Sequence, residues 1–150
     1  METRNSAVTC RSMRSEDAPR VAELAGELGY PSTAEHILAR KAELDRLGQS
    51  GIFVAEAAGG DVIGWIIVSE MCSLELDPHA EVKGLVVASE ARSRGVGVLL
   101  MEAGEAWARA RGLREMVLRS NVIRDRAHAF YRRIGYEEQK RQVKFRKRLL

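Results

Sequence analysis

The chain has 150 residues, 45% hydrophobic and 30% charged, with a formal charge of +3 and only three prolines. Its length fits one domain spanning residues 1–150, and its composition excludes disordered, collagenous and low-complexity classes. No apolar run approaches the roughly 18 residues of a membrane span and no signal-peptide pattern opens the chain, so a soluble, cytoplasmic protein is expected.

The stretch AVTCRSMR, from Ala7 to Arg14, alternates as a first strand. In SEDAPRVAELAGELGY, Ser15 reads as a helix N-cap, Pro19 falls near the first turn, Ala18, Val21, Ala22, Ala25 and Leu28 recur at helical spacing, and Gly29 ends the run. A second helix is expected from Ser32, paired with Glu35 at capping-box spacing, to about Leu47, with Gly48 as its stop. Ile52 to Ala57 and Val62 to Glu70 form a hairpin around Gly59-Gly60-Asp61, and His79 to Val87 supplies another strand.

The segment SEARSRGVGVLLMEAGEAWARARG, starting at Ser89, predicts a glycine turn followed by a helix over roughly 95–111. Leu99, Leu100, Ala103, Ala106, Trp107 and Ala110 are its expected buried stripe and Gly112 its C-cap. REMVLRS is a short strand, DRAHAFYRRIG a short helix closed by Gly135, and QVKFRKRL a last strand. The order is mixed α/β, with one β-α-β crossover around the glycine turn.

That turn is the first chemical signal. A strand that enters a glycine-rich turn and then a helix presents free backbone N–H groups at the positive end of the helix dipole, which suits an anion. Glycine permits positive φ and close approach of a phosphate. The Walker pattern is absent, and the dinucleotide fingerprint fails because Leu100 stands where its third glycine belongs. Arg92-Ser93-Arg94-Gly95-Val96-Gly97 instead fits the acyl-CoA pyrophosphate turn [RQ]-x-x-G-x-[GA] at every defined position.

Downstream, RSNVIRDRAHAFYRRIGYEE from Arg119 carries Ser120-Asn121, Arg124, Ala127-His128, Phe130-Tyr131 and Gly135-Tyr136. With the glycine turn at the right distance, this block resembles the second signature of the GNAT superfamily of acyl-CoA-dependent N-acetyltransferases. The resemblance extends over nearly the whole chain, from VTCRSMRSEDAP through VIGWIIV and EVKGLVVASEARSRGVG to VKFRKRL. It implies a mixed, mostly antiparallel sheet splayed between its fourth and fifth strands and flanked by about four helices.

The same resemblance implies acetyl-CoA as donor, with its pantetheine arm along Leu85, Val86 and Val87, where the backbone groups of Leu85 and Val87 pair with the amides. The backbone of Arg92, Ser93, Arg94, Gly95, Val96, Gly97 and Val98 would cradle the pyrophosphate. Asn121 would contact the pantetheine region; a helix N-cap or turn role explains that residue equally well.

Acetyl transfer to an amine needs a neutral amine, a stabilised oxyanion and a protonated leaving thiolate. A backbone N–H at about Leu85, freed by a bulge for which Gly84 is the expected place, would bond the oxyanion. By its place in the motif, Tyr131 would protonate the departing sulfur. Glu81, eleven residues before Arg92, stands at the spacing of the base in histone-type members; a surface carboxylate is the equal alternative. On a regular strand His79, Glu81 and Lys83 share a face. Many members of the family carry an acid where this chain has Lys83, which counts against a direct carboxylate base and leaves Lys83 either to neutralise Glu81 or to receive an acidic part of the acceptor.

His128 reads as a packing or hydrogen-bonding residue, His36 as a surface residue, and Trp65 and Trp107 as core. Three scattered histidines and two lone cysteines, Cys10 and Cys72, supply no metal cluster, disulfide framework or nucleophile motif. The acceptor is expected to be a small-molecule or peptide primary amine attacking directly in a ternary complex. Acids Glu70, Glu75, Asp77 and Glu81 suit a cationic amine, and solvated loop charges explain them as well. A homodimer is consistent with many relatives of the family.

The rival class is a non-catalytic acyl-CoA sensor or a nucleic-acid module using the tail, which from Lys140 has six Lys or Arg and no acid. Phe145 is the tail's single aromatic, which disfavours nucleic acid.

Overall fold

The computed structural model describes residues 8–150, so Ala7 at the start of the expected first strand lies outside the described residues. Two compact units are distinguished, one reaching Leu118 and the other Arg119–Leu150.

The first unit is built on a sheet of strands β1 (Thr9–Ser12), β2 (Ser50–Glu56), β3 (Val62–Met71), β4 (His79–Val87) and β5 (Met116–Leu118), in that spatial order. The first four pair antiparallel, and β5 runs parallel to β4 after the crossover through helix α3 (Val96–Ala110). Helices α1 (Ala18–Glu27) and α2 (Ala34–Leu47) lie between β1 and β2 in sequence.

Strand β3 shows why the sheet is covered on both faces. Val62, Gly64, Ile66 and Val68 are buried at every second position, as period-two side chains require. Gly104 of α3 sits so close to this face that a Cβ there would lie 2.8 Å from Val68 and 3.3 Å from Ile66. On the opposite face, the Trp65 indole N–H donates to the carbonyl of Val21 in α1 at 3.2 Å.

Close approach at Gly104 also corrects the expected stripe of α3. Its buried residues are Val96, Leu100, Met101, Gly104 and Ala108, whereas Ala106 and Ala110 are exposed and Leu99, Ala103 and Trp107 half-buried. The helix turns its smallest residue, rather than its alanine row, into the sheet. Trp107 lies against Gly51, where a Cβ would come 2.7 Å from the indole, and carries the Arg111 guanidinium over its ring at 4.9 Å.

Two helix starts also differ from expectation. Ser15 does not cap α1: the Asp17 carboxylate accepts the Arg14 N–H at 2.8 Å and two bonds from Arg11, and residues Ser15–Asp17 wind as a 3-10 turn before Ala18. The N-cap of α2 is Thr33 rather than Ser32, its hydroxyl accepting from the His36 N–H while the His36 ring reaches back to Thr33 N–H. A histidine thus performs the task expected of Glu35, and the box moves by one residue.

The second unit contains α4 (Asp125–Arg133), ended at Gly135 with φ of +102°. The expected strand over 142–149 does not form; those residues have no regular secondary structure, and Val143, Phe145 and Leu149 are exposed. An alternating strand pattern needs a partner edge to satisfy its backbone, and no strand among the described residues pairs with the segment. Among the described residues no helix is long and apolar enough to cross a membrane.

Candidate active site

Strand β4 changes character halfway along. From Met71↔His79 to Val68↔Val82 it pairs with β3 in one register, and from Ile67↔Gly84 to Gly64↔Val87 in another. Lys83 is the extra residue, a β-bulge one position before the Gly84 at which it was expected.

The bulge decides which backbone groups are available. Beyond it the Ala88 N–H bonds the Ile63 carbonyl at 2.8 Å. In an antiparallel ladder, alternate residues turn their N–H and C=O to the partner. Val86 and Gly84 therefore address β3, whereas Leu85 and Val87 turn theirs away. Without the extra residue this polarity would be reversed.

Among the described strands none pairs along the edge they face. Strand β5 pairs with β4 only from Ala80↔Met116 to Val82↔Leu118, so beyond Val82 the two strands part company. Leu85 and Val87 thus offer backbone donors and acceptors along an uncovered strand edge, the arrangement that binds an extended amide-containing chain. Val86, between them, commits its backbone to β3 and buries its side chain. The Arg92 guanidinium donates to the outward carbonyl of Val87 at 3.2 Å.

This edge leads directly into the glycine turn. After a 3-10 turn at Ser89–Ala91, Ser93 adopts φ of +68° and Gly95 φ of +80°, and Gly95 is the N-cap of α3. No side chain caps the first turn of α3, so the N-terminal amides, including those of Val96, Gly97 and Val98, remain available at the positive end of the dipole. Arg94 is exposed, and Arg92 lies 3.9 Å from Glu27. The left-handed Ser93 is a feature that sequence reading missed, since serine carries no signal for positive φ.

Glu81 is a buried carboxylate, not a surface one: its side chain is 7% exposed and lies opposite Ser69. Lys83 Nζ is 3.9 Å from its Oε2 and is itself 44% exposed. The His79 ring bonds the Asp77 carbonyl at 3.0 Å.

In the second unit, Asn121 makes a turn. Its Oδ1 accepts from Ile123 N–H at 3.1 Å, and its carbonyl accepts from Arg124 N–H and from the His128 ring at 2.9 Å. His128 thus ties the start of α4 to the preceding loop. Tyr131 packs edge-on against Phe130 and Tyr136, with centroids 5.2 and 6.3 Å away. Burial pushes its phenol pKa up, and the charge of Arg124 opposes that rise, so the hydroxyl keeps its proton through neutral pH. Among the described residues no group of three or more His, Cys, Asp or Glu side chains could hold a metal ion.

Comparisons with known proteins agree with this architecture. The model of the acetyltransferase (GNAT) family matches residues 15–136. The chain is 32% identical over 145 residues to an aminoglycoside N(6')-acetyltransferase type 1 of Stenotrophomonas maltophilia, covering 94% of each chain. It superposes with a TM-score of 0.82 and 25% identity on AAC(6')-Iy in complex with the bisubstrate analogue CoA-S-monomethyl-acetylneamine, over 94% of this chain and 98% of that one. The AAC(6')-Ih of Acinetobacter baumannii shares the fold with a TM-score of 0.82 at 19% identity, over 95% and 99% of the two chains. An uncovered strand edge running into an uncapped glycine turn and a match across nearly the whole chain lead to one conclusion: the chain belongs to the GNAT family and is an acetyl-CoA-dependent N-acetyltransferase.

Proposed function

We propose that this enzyme moves the acetyl group of acetyl-CoA to the primary amine of a small molecule by direct attack in a ternary complex, the whole chain acting as one catalytic domain. The observation that carries the reading is the bulge at Lys83, which turns the backbone of Leu85 and Val87 toward the open edge of β4. Pantetheine amides pair with those groups, and the pyrophosphate lies on the backbone of Arg92 to Val98, with Asn121 contacting the pantetheine region.

In the reaction the Glu81 carboxylate takes a proton from the incoming ammonium, as alkylamines resemble lysine, with a pKa near 10.4. The free amine attacks the thioester carbon, the Leu85 N–H bonds the developing oxyanion, and the C–S bond breaks as Tyr131 gives its proton to sulfur. The products are an amide and CoA thiol, with no covalent enzyme intermediate. Use of acetyl-CoA accords with a cytoplasmic location.

The aminoglycosides named for the relatives are the reference acceptors. Calorimetric titration with acetyl-CoA, with NADH as the control ligand, is the direct test. Micromolar binding of acetyl-CoA alone is expected, followed by CoA release when an amine is added; failure to bind acetyl-CoA would overturn the reading.

A homodimer is the favoured assembly, because the exposed Val143, Phe145 and Leu149 alternate as one face of a strand and a second copy would cover them. Light scattering should give twice the chain mass; a monomer at all working concentrations excludes the dimer. The basic residues of the same segment do not make a nucleic-acid site, and weak heparin retention at physiological salt is the expected check.

A further inference from the structure

Lys83 is the one residue of β4 that β3 leaves unpaired. Its neighbour Glu81 is buried with Lys83 Nζ at 3.9 Å, but the ammonium is far more exposed than the carboxylate, at 44% against 7%. What this part of β4 presents outward is therefore the cation of the pair.

The charged groups of α1 and β3 are engaged elsewhere, while Glu75 and Asp77 of the loop before β4 remain as acids near this end of the strand. Helix α1, packed on the face that holds Trp65, contributes the buried apolar residues Val21, Ala22, Leu24 and Ala25. Its Arg20 donates to the Val62 carbonyl and pairs with Glu23 and Glu90, and its Glu27 accepts from the Ser89 N–H and lies 3.9 Å from Arg92. Glu70, at the far end of β3, is paired with Arg111 at 2.8 Å. The positions opposite Glu81 on β3 and β5 are Ser69 and Val117, both uncharged.

Position along the strand gives this cation a consequence. Resting on the reading above, the reacting carbonyl lies at the Leu85 N–H, and Lys83 is two residues away, about 7 Å along an extended chain. A flexible four-carbon stem spans that interval, and a group a few bonds from the attacking nitrogen would meet the ammonium. We propose that Lys83 is a specificity-determining residue that selects an acceptor carrying a carboxylate close to its primary amine. The same charge repels a polycationic acceptor, so selection works by attraction and exclusion together.

The test compares matched acceptors, an amino acid and its neutral amide, with an aminoglycoside as the polycationic third. Steady-state kinetics would be measured for the native enzyme and for Lys83→Met, Lys83→Arg and Lys83→Glu, each checked for an unchanged melting profile and acetyl-CoA affinity. The native enzyme is expected to favour the carboxylate-bearing acceptor by about tenfold or more in kcat/KM. Lys83→Met should erase that preference mainly through KM, Lys83→Arg should restore it, and Lys83→Glu should shift preference toward the aminoglycoside. A merely structural lysine would lower all three acceptors in parallel. Parallel loss, or a native enzyme that does not distinguish the matched pair, overturns the proposal while leaving the transferase reading intact; loss of acetyl-CoA binding in the native enzyme overturns both.

Discussion

Helix α3 buries Val96, Leu100, Met101, Gly104 and Ala108 against the sheet, whereas α4 buries none of its nine residues to the same degree. Both helices have amphipathic sequences and both carry proposed functional residues. The first unit contains the buried side chains of the core, including Leu24, Val54, Ile66, Val68, Leu100 and Met101. The second contributes the proposed acid, Tyr131. The contrast separates two kinds of sensitivity: substitutions at the buried positions of α3 and the sheet should act on folding, and those in α4 on the chemical step.

The largest expected effect lies at the glycine turn. Gly97→Glu brings bulk and negative charge to the uncapped first turn of α3, the proposed pyrophosphate site. Acetyl-CoA affinity should fall by about 100-fold or more, roughly 2.7 kcal/mol. Unchanged affinity in the same titration would remove the pyrophosphate from this turn.

A smaller loss, confined to stability, is expected at the helix–sheet contact. Gly104→Val forces a side chain into the space held by Val68 and Ile66 and should cost about 1–3 kcal/mol in denaturant unfolding. An unaltered midpoint would mean that α3 can move off β3 without penalty.

Smallest in free energy, and sharpest for the comparison, is Tyr131→Phe. It removes a proton donor and almost no volume, so turnover should fall about tenfold, near 1.4 kcal/mol, with acetyl-CoA affinity and melting temperature unchanged. Burial keeps the tyrosine protonated well into the alkaline range, so its deprotonation should produce no falling limb in the native pH–rate profile at neutral pH. A turnover change within about twofold would exclude the acid role.

Legibility in the sequence followed the range of the forces involved. The β4 boundaries, the αL stops at Gly48 and Gly112 and the parallel crossover were readable because period-two alternation and glycine's access to positive φ act within a few residues. The caps were displaced where a partner was not local: Asp17, held by Arg11, set the start of α1, and His36 replaced Glu35 at α2. The stripe of α3 was misjudged because periodicity fixes that a face is buried but not how closely it approaches the sheet. Over 142–149 the alternation was present without a strand, since a strand requires an edge to pair with.

By itself the sequence determined the order of elements, the glycine turn and the family, because each is written in local spacing and short motifs. Tertiary structure decided that Glu81 is buried, that Lys83 is the bulged residue and that this bulge is what turns Leu85 and Val87 outward, as the family resemblance implied. The last two follow from a one-residue slip in the pairing of β4 with β3, and the burial of Glu81 from packing around that strand, relations between distant segments that no local pattern encodes.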